Sequence, residues 1–156
     1  MATILYAEDS PVMRRVVAGI LRDKGHVVIE AASYDELKAN AKANKGKIDL
    51  VISDVQLERG KKTAHGIVFY NSLRKTDEEQ PIILLSSGPL TALASPRTIE
   101  RMEKDNKFLF QEKMAPNFHD ELLAAIQKFS STSTSGRGPL LPNGVTRAAP
   151  VYALCQ

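Results

Sequence analysis

Apolar residues in this chain fall into two patterns, short continuous runs and stripes at helical spacing, and the two alternate along its length. Residues 3–7, carrying Ile4, Leu5 and Tyr6, read as a first strand. Ser10 and Pro11 then supply an N-cap and a first-turn proline, and Val12, Val16, Val17, Ile20 and Leu21 predict the inward face of a helix that Gly25 ends. Residues 26–31 predict a second strand, and Ser33 caps a helix over 34–43 with Leu37 and Ala41 facing inward. After a turn at 44–47, Ile48, Leu50, Val51 and Ile52 form a run too continuous for a one-sided strand. It suits a parallel strand covered on both faces, and it ends in Asp54.

Residues 55–65 make a long connection for a compact domain and are expected to be mobile. Ile67, Phe69, Tyr70 and Leu73 then mark a helix over 66–75, followed by a strand over 82–85, a helix from Pro96 to 104, and a strand over 107–111 containing Phe108, Leu109 and Phe110. A last helix over 117–129 places Leu122, Leu123, Ile126 and Phe129 on one face. Strand and helix alternating in this way predict an α/β fold, a parallel sheet with helices on both sides. From Ser130 onward Ser, Thr, Gly, Pro and Asn dominate, so the expected division is one domain over 1–129 and a flexible or docking tail over 130–156. No internal repeat is present.

Composition narrows the class. A chain of 156 residues with 43% hydrophobic content can bury one proper core. Its 21 basic and 18 acidic residues give +3, scattered without interleaved aromatics, which argues against nucleic-acid binding. Cys155 is the single cysteine, so an internal disulfide or a cysteine-based metal site is excluded and a reducing, cytoplasmic setting is expected. Glu8 and Asp9 interrupt the N-terminus before a signal-peptide core can form, and no apolar run reaches spanning length, so no membrane insertion is expected.

The candidate chemistry lies at the predicted carboxyl ends of the strands. Glu8 and Asp9 close the first, Asp54 the third, Ser86 and Ser87 the fourth, and Lys113 follows the fifth. In open α/β sheets this is the edge where ligands bind. An acid at a strand end has a plainer reading as a helix cap or turn residue, and Lys113 alone is a surface lysine. The four positions together, each closing a different strand, point to one site. Clustered carboxylates repel unless a divalent cation is present, and oxygen-only ligands suit Mg²⁺. Asp54 can then act as a nucleophile toward phosphorus, with Mg²⁺ and the Lys113 ammonium neutralising the transferred group and the Ser86 hydroxyl donating to it. His26, His65 and His119 match no metal or catalytic spacing and read as surface or loop residues.

This constellation resembles the receiver domain of two-component response regulators, of the stand-alone chemotaxis-regulator kind, over residues 3 to about 129. The resemblance implies a three-layer flavodoxin-like (βα)5 fold with strand order 2-1-3-4-5. It makes Asp54 the phosphoacceptor and Glu8, Asp9, Asp54 and the backbone carbonyl of Gln56 the Mg²⁺ ligands. Ser86, Ser87, Lys113 and Phe110 become the phosphoryl-binding and switch positions. A histidine kinase or phosphotransfer protein is the implied donor and an effector protein the implied target, with homodimerisation left open. Such a chain is a phosphorylated switch with at most slow self-dephosphorylation, not an enzyme.

Three departures stand out. The connection after Asp54 is long; Ser87 stands where Ala or Gly is common, which would narrow access to the phosphoryl group; and Met114 and Ala115 separate Lys113 from Pro116, where the family usually has proline directly after the lysine. The last opens a different aim for the Lys113 side chain, and together with the long connection it supports the alternative of a pseudo-receiver, a binding module that signals without phosphorylation. A phosphohydrolase would want a second acid two residues past the nucleophile, where Gln56 stands.

Overall fold

A computed structural model of the chain describes residues 1–58 and 62–135. In chain order they form β1 (Thr3–Ala7), α1 (Pro11–Asp23), β2 (Val27–Ala31), α2 (Tyr34–Ala43), β3 (Leu50–Asp54), α3 (His65–Thr76), β4 (Ile82–Ser86), α4 (Pro96–Glu103), β5 (Phe108–Glu112) and α5 (Phe118–Ser135), with a 3-10 turn at Leu90–Ala92. The strands are all parallel, in the order β2-β1-β3-β4-β5. This is the flavodoxin-like α/β arrangement that the resemblance implied.

The central strands β3 and β4 read as near-continuous apolar runs because helices cover both faces, and every residue of the two is buried. Side chains alternate between the two layers. Ile4, Tyr6, Ile52, Ile83, Leu85 and Leu109 pack with Val17, Leu21, Leu122 and Ile126 of α1 and α5. Leu5, Val51, Ile82, Leu84, Phe108 and Phe110 pack with Leu37, Ile67, Tyr70 and Met102 of α2, α3 and α4.

The helix starts are chemically marked. Ser10, Ser33 and Ser95 accept hydrogen bonds from the backbone N–H groups of Met13, Glu36 and Thr98, and Pro11 and Pro96 occupy the first turns of α1 and α4. At the end of α1, Gly25 has φ +88°, a conformation that side-chain-bearing residues rarely adopt.

Three expectations are corrected. On α1 the sheet-facing residues are Val17, Ala18 and Leu21, whereas Val12 and Val16 are 71% and 45% exposed. The helix carries two candidate apolar stripes, and the one nearer the sheet wins the core. His65, expected as a surface or loop residue, is buried at the start of α3 against the Tyr34 ring, 4.9 Å between centroids. Finally, α5 runs on to Ser135, past Phe129 where the last helix was expected to end. The rest of the expected tail, residues 136–156, lies outside the described residues, as do residues 59–61 of the connection expected to be mobile. The start of that connection is anchored: Val55 and Leu57 are buried, and the Val55 N–H donates to the Leu85 carbonyl at 2.8 Å.

Candidate functional site

β1, β3 and β4 lie side by side, so their carboxyl ends bring Glu8, Asp54 and Ser86 to one edge of the sheet. One carboxylate oxygen from each of Glu8, Asp9 and Asp54 falls within 4.8 Å of the others. Glu8 and Asp54 are buried. Lys113, just past β5, reaches across the edge: its Nζ donates to Glu8 Oε1 and to Asp54 Oδ2, each at 2.8 Å. The separation of Lys113 from Pro116 therefore does not turn the lysine away from the acids.

Backbone contacts fix this edge. The Ser10 N–H donates to Glu8 Oε2 at 3.2 Å, and the Arg14 guanidinium donates to the Glu8 carbonyl at 2.8 Å while pairing with Glu30 at 3.3 Å. The Gln56 N–H makes a long contact, 3.4 Å, with Asp54 Oδ1. After the long connection the chain comes back so close that the Gly66 N–H donates to the Val55 carbonyl at 2.8 Å. A Cβ on Gly66 would stand 2.7 Å from the Asp54 carbonyl oxygen and 2.8 Å from Val55 Cα, so only glycine fits there without displacing the backbone that carries Asp54.

Electrostatics follow from burial. Desolvation pushes the Glu8 carboxyl up to about 7, against the opposing hydrogen bond from Lys113. It raises Asp54 as well, again with Lys113 opposing. For Lys113 burial works downward, but the hydrogen bonds to Asp54 and Glu8 outweigh it and its pKa rises. Among the described residues three carboxylates face the one Lys113 ammonium, and the donors are all hard carboxylate oxygens. Such a set fits Mg²⁺ and not a soft metal.

The remaining predicted residues flank this pocket. Ser86 is buried on β4, and its Oγ accepts from the Gly88 N–H at 3.1 Å. Ser87 is exposed, and so is Gln56. Phe110 is fully buried on β5 opposite Leu84, in the layer of α3 and α4. Lys113 is tied to β4 as well, its N–H donating to the Ser86 carbonyl at 2.8 Å.

Sequence reasoning missed several residues beside the pocket. Arg14 carried no signal, being one arginine among many on a helix. Tyr6 is fully buried and its hydroxyl has no partner among the described residues; burial, with Glu8 and Asp54 next, raises its pKa above the ordinary phenol value. His65 Nδ1 is likewise buried without a partner among the described residues. Gln111 is buried at the end of an apolar run, and its Nε2 donates to the Phe118 carbonyl at 2.9 Å. A polar residue closing such a run was the available signal.

Comparison with known proteins agrees with this geometry. The family model of the response regulator receiver domain matches residues 4–95. The chain is similar to the chemotaxis response regulator CheY4 of Vibrio cholerae, with 27% identity, 83% of this chain and 98% of that one covered, and a TM-score of 0.59. It is similar to the receiver domain of the hybrid histidine kinase CckA, with 26% identity, 81% and 97% coverage and a TM-score of 0.60. The fold is shared with the response regulator TrrA of Thermotoga maritima, solved in complex with Mg²⁺ and BeF, at 24% identity, 83% and 99% coverage and a TM-score of 0.62. With its five-stranded parallel sheet and an acidic cluster at the strand ends, this chain belongs to the response regulator receiver domain family.

Proposed function

We propose that this chain is a phosphorylatable receiver that takes a phosphoryl group on Asp54 from a histidine kinase or phosphotransfer protein, in an Mg²⁺-dependent reaction, and passes the signal on by changing its protein contacts. The carrying observation is the Lys113 ammonium held 2.8 Å from both Asp54 and Glu8, with Asp9 completing the carboxylate cluster. Receiver domains in general bind Mg²⁺ in an acidic pocket. Here Glu8, Asp9 and Asp54, with the Gln56 carbonyl, are the residues that would hold it, and the ion would supply positive charge toward the phosphoryl oxygens.

Asp54 is the nucleophile. A carboxylate oxygen forms the new O–P bond while the bond from phosphorus to the donor imidazole nitrogen breaks, its electron pair leaving with the imidazole. Lys113 opposes the upward push of burial on the Asp54 carboxyl, then offers its ammonium to the added charge. The Ser86 Oγ accepts from Gly88, so its own proton remains available for a phosphoryl oxygen, with Ser87 at the entrance. Movement of Ser86 toward the phosphoryl group, coupled to Phe110 on the neighbouring strand, carries the change to the face formed by α4, β5 and α5. The anchored lysine favours this reading over that of a pseudo-receiver. The receiver unit closes with α5, and the setting is cytoplasmic; among the described residues no helix is long and apolar enough to cross a membrane.

The test is incubation with a small phosphodonor such as acetyl phosphate, with Mg²⁺ or with a chelator, followed by intact-mass measurement. A mass increase of one phosphoryl group that needs Mg²⁺ and is absent from Asp54→Asn supports the proposal. An unchanged mass at saturating donor and Mg²⁺ contradicts it.

A further inference from the structure

We infer that Gln111 is a positioning residue for Lys113, clamping the turn between β5 and α5 so that the ammonium stays aimed at Asp54. The inference rests on the reading of Lys113 as the cation that answers the phosphoryl group.

Gln111 is 4% exposed and follows Phe108, Leu109 and Phe110, all buried, in the strand. Burying an amide is costly unless it is hydrogen-bonded, so an apolar side chain would suit mere packing better. What the amide gains is the bond from its Nε2 to the Phe118 carbonyl at 2.9 Å, at the first residue of α5. That bond spans the whole turn carrying Lys113.

The turn has little else to hold it. No side chain between Lys113 and Phe118 is buried, and Met114 is 78% exposed. Its backbone is fixed at one end by the Lys113 N–H donating to the Ser86 carbonyl at 2.8 Å, and near the other by the Phe118 N–H donating to the Ala115 carbonyl at 3.1 Å. Gln111 joins these ends, tying the strand before the lysine to the helix after it. By the period of two, Gln111 and Lys113 also lie on the same side of the strand path. One ammonium meets two acceptors at 2.8 Å at once, so the position of the Lys113 backbone bears on whether both are met together.

The test compares wild type, Gln111→Met, Gln111→Leu, Lys113→Met and the Gln111→Met, Lys113→Met double variant. Titration calorimetry gives Mg²⁺ affinity and beryllofluoride affinity in saturating Mg²⁺, and thermal melts report the fold. Each single Gln111 variant should lose about ten-fold in beryllofluoride affinity. The double variant should be no weaker than Lys113→Met alone. Using two replacements keeps the test open if one of them fails to fold. Wild-type beryllofluoride affinity in the folded Gln111 variants would overturn the inference, as would a loss that persists undiminished in the Lys113→Met background, since the effect would then bypass the lysine. If Lys113→Met itself binds beryllofluoride like the wild type, the reading of Lys113 fails. A weakened Lys113→Met beside unaffected Gln111 variants sinks this inference alone.

Discussion

The Lys113 ammonium and the Glu8 carboxylate stand 105 positions apart in sequence and 2.8 Å apart in space. Their contact joins the first and last strands of the chain across β3 and β4, and places one positive charge among three buried or half-buried carboxylates. Stability and chemistry are therefore coupled at this point, and the coupling can be measured.

The first consequence is a pH dependence. Burial raises Glu8 from 4.5 to about 7, so between those values the folded protein holds more protons than the unfolded chain. Asp54 is shifted in the same direction. The stabilisation is fully present below about pH 4.5 and is lost as pH rises through about 7. Urea unfolding of the metal-free protein should show stability falling between pH 5 and pH 8, and saturating Mg²⁺ should flatten that slope by favouring the ionised acids. A rise in metal-free stability over the same range would contradict the arrangement.

Removing the lysine leaves buried carboxylates without their counter-charge. Lys113→Met should cost about 3 kcal/mol at pH 8 without Mg²⁺, and less at pH 5, where Glu8 takes up a proton. Denaturant titrations at the two pH values read this difference directly. Equal losses at both would mean that the lysine contributes packing and not charge.

Tyr6 leads the other way. Among the described residues its buried hydroxyl has no partner, so Tyr6→Phe removes an unsatisfied group and keeps the ring in the layer of α1 and α5. The variant should be more stable by about 1 kcal/mol, a rise of a few degrees in Tm. A clear loss of stability would show that the hydroxyl is bonded in solution.

At Gly66 the argument is steric. A methyl group placed 2.7 Å from the Asp54 carbonyl oxygen must push α3 away from the strand end, and Gly66→Ala should cost about 2 kcal/mol. It should also slow phosphorylation, because the displaced backbone carries Asp54. Wild-type stability and rate in this variant would show that the close approach is dispensable.

Ser86→Ala tests the proposed switch. With beryllofluoride and Mg²⁺, amide spectra of the wild type should change beyond the loops around Asp54, into residues 108–125. In Ser86→Ala the distant changes should shrink while the local ones remain. Wild-type changes confined to the neighbourhood of Asp54 would mean that Phe110 is a static core side chain.

Much of this candidate site was legible in the sequence because each of its groups ends or closely follows a strand, and strand ends are visible where an apolar run stops at Glu8, Asp54 or Ser86. Lys113 was legible for the same reason. What could not be read depends on how elements meet. Val12 and Val16 make as good a stripe as Val17 and Leu21, and only the docking of α1 on the sheet decides between them. His65 looked like a loop residue because nothing local announces that α3 begins against the backbone of Asp54 and Val55. The extension of α5 through Ser and Thr positions has no apolar stripe to betray it. Gln111 read as an ordinary last residue of a strand, since its partner, the Phe118 carbonyl, is a backbone group with no signature in sequence.

The central claim is that Asp54 itself carries the phosphoryl group, and mapping the modified residue tests it most directly. After incubation with acetyl phosphate and Mg²⁺, borohydride reduction converts an aspartyl phosphate to homoserine, which peptide mass spectrometry locates. The account predicts homoserine at position 54 and nowhere else, with none formed when Mg²⁺ is chelated. Phosphoryl incorporation that maps to any other residue, or none at all in the folded, Mg²⁺-bound protein, would contradict it.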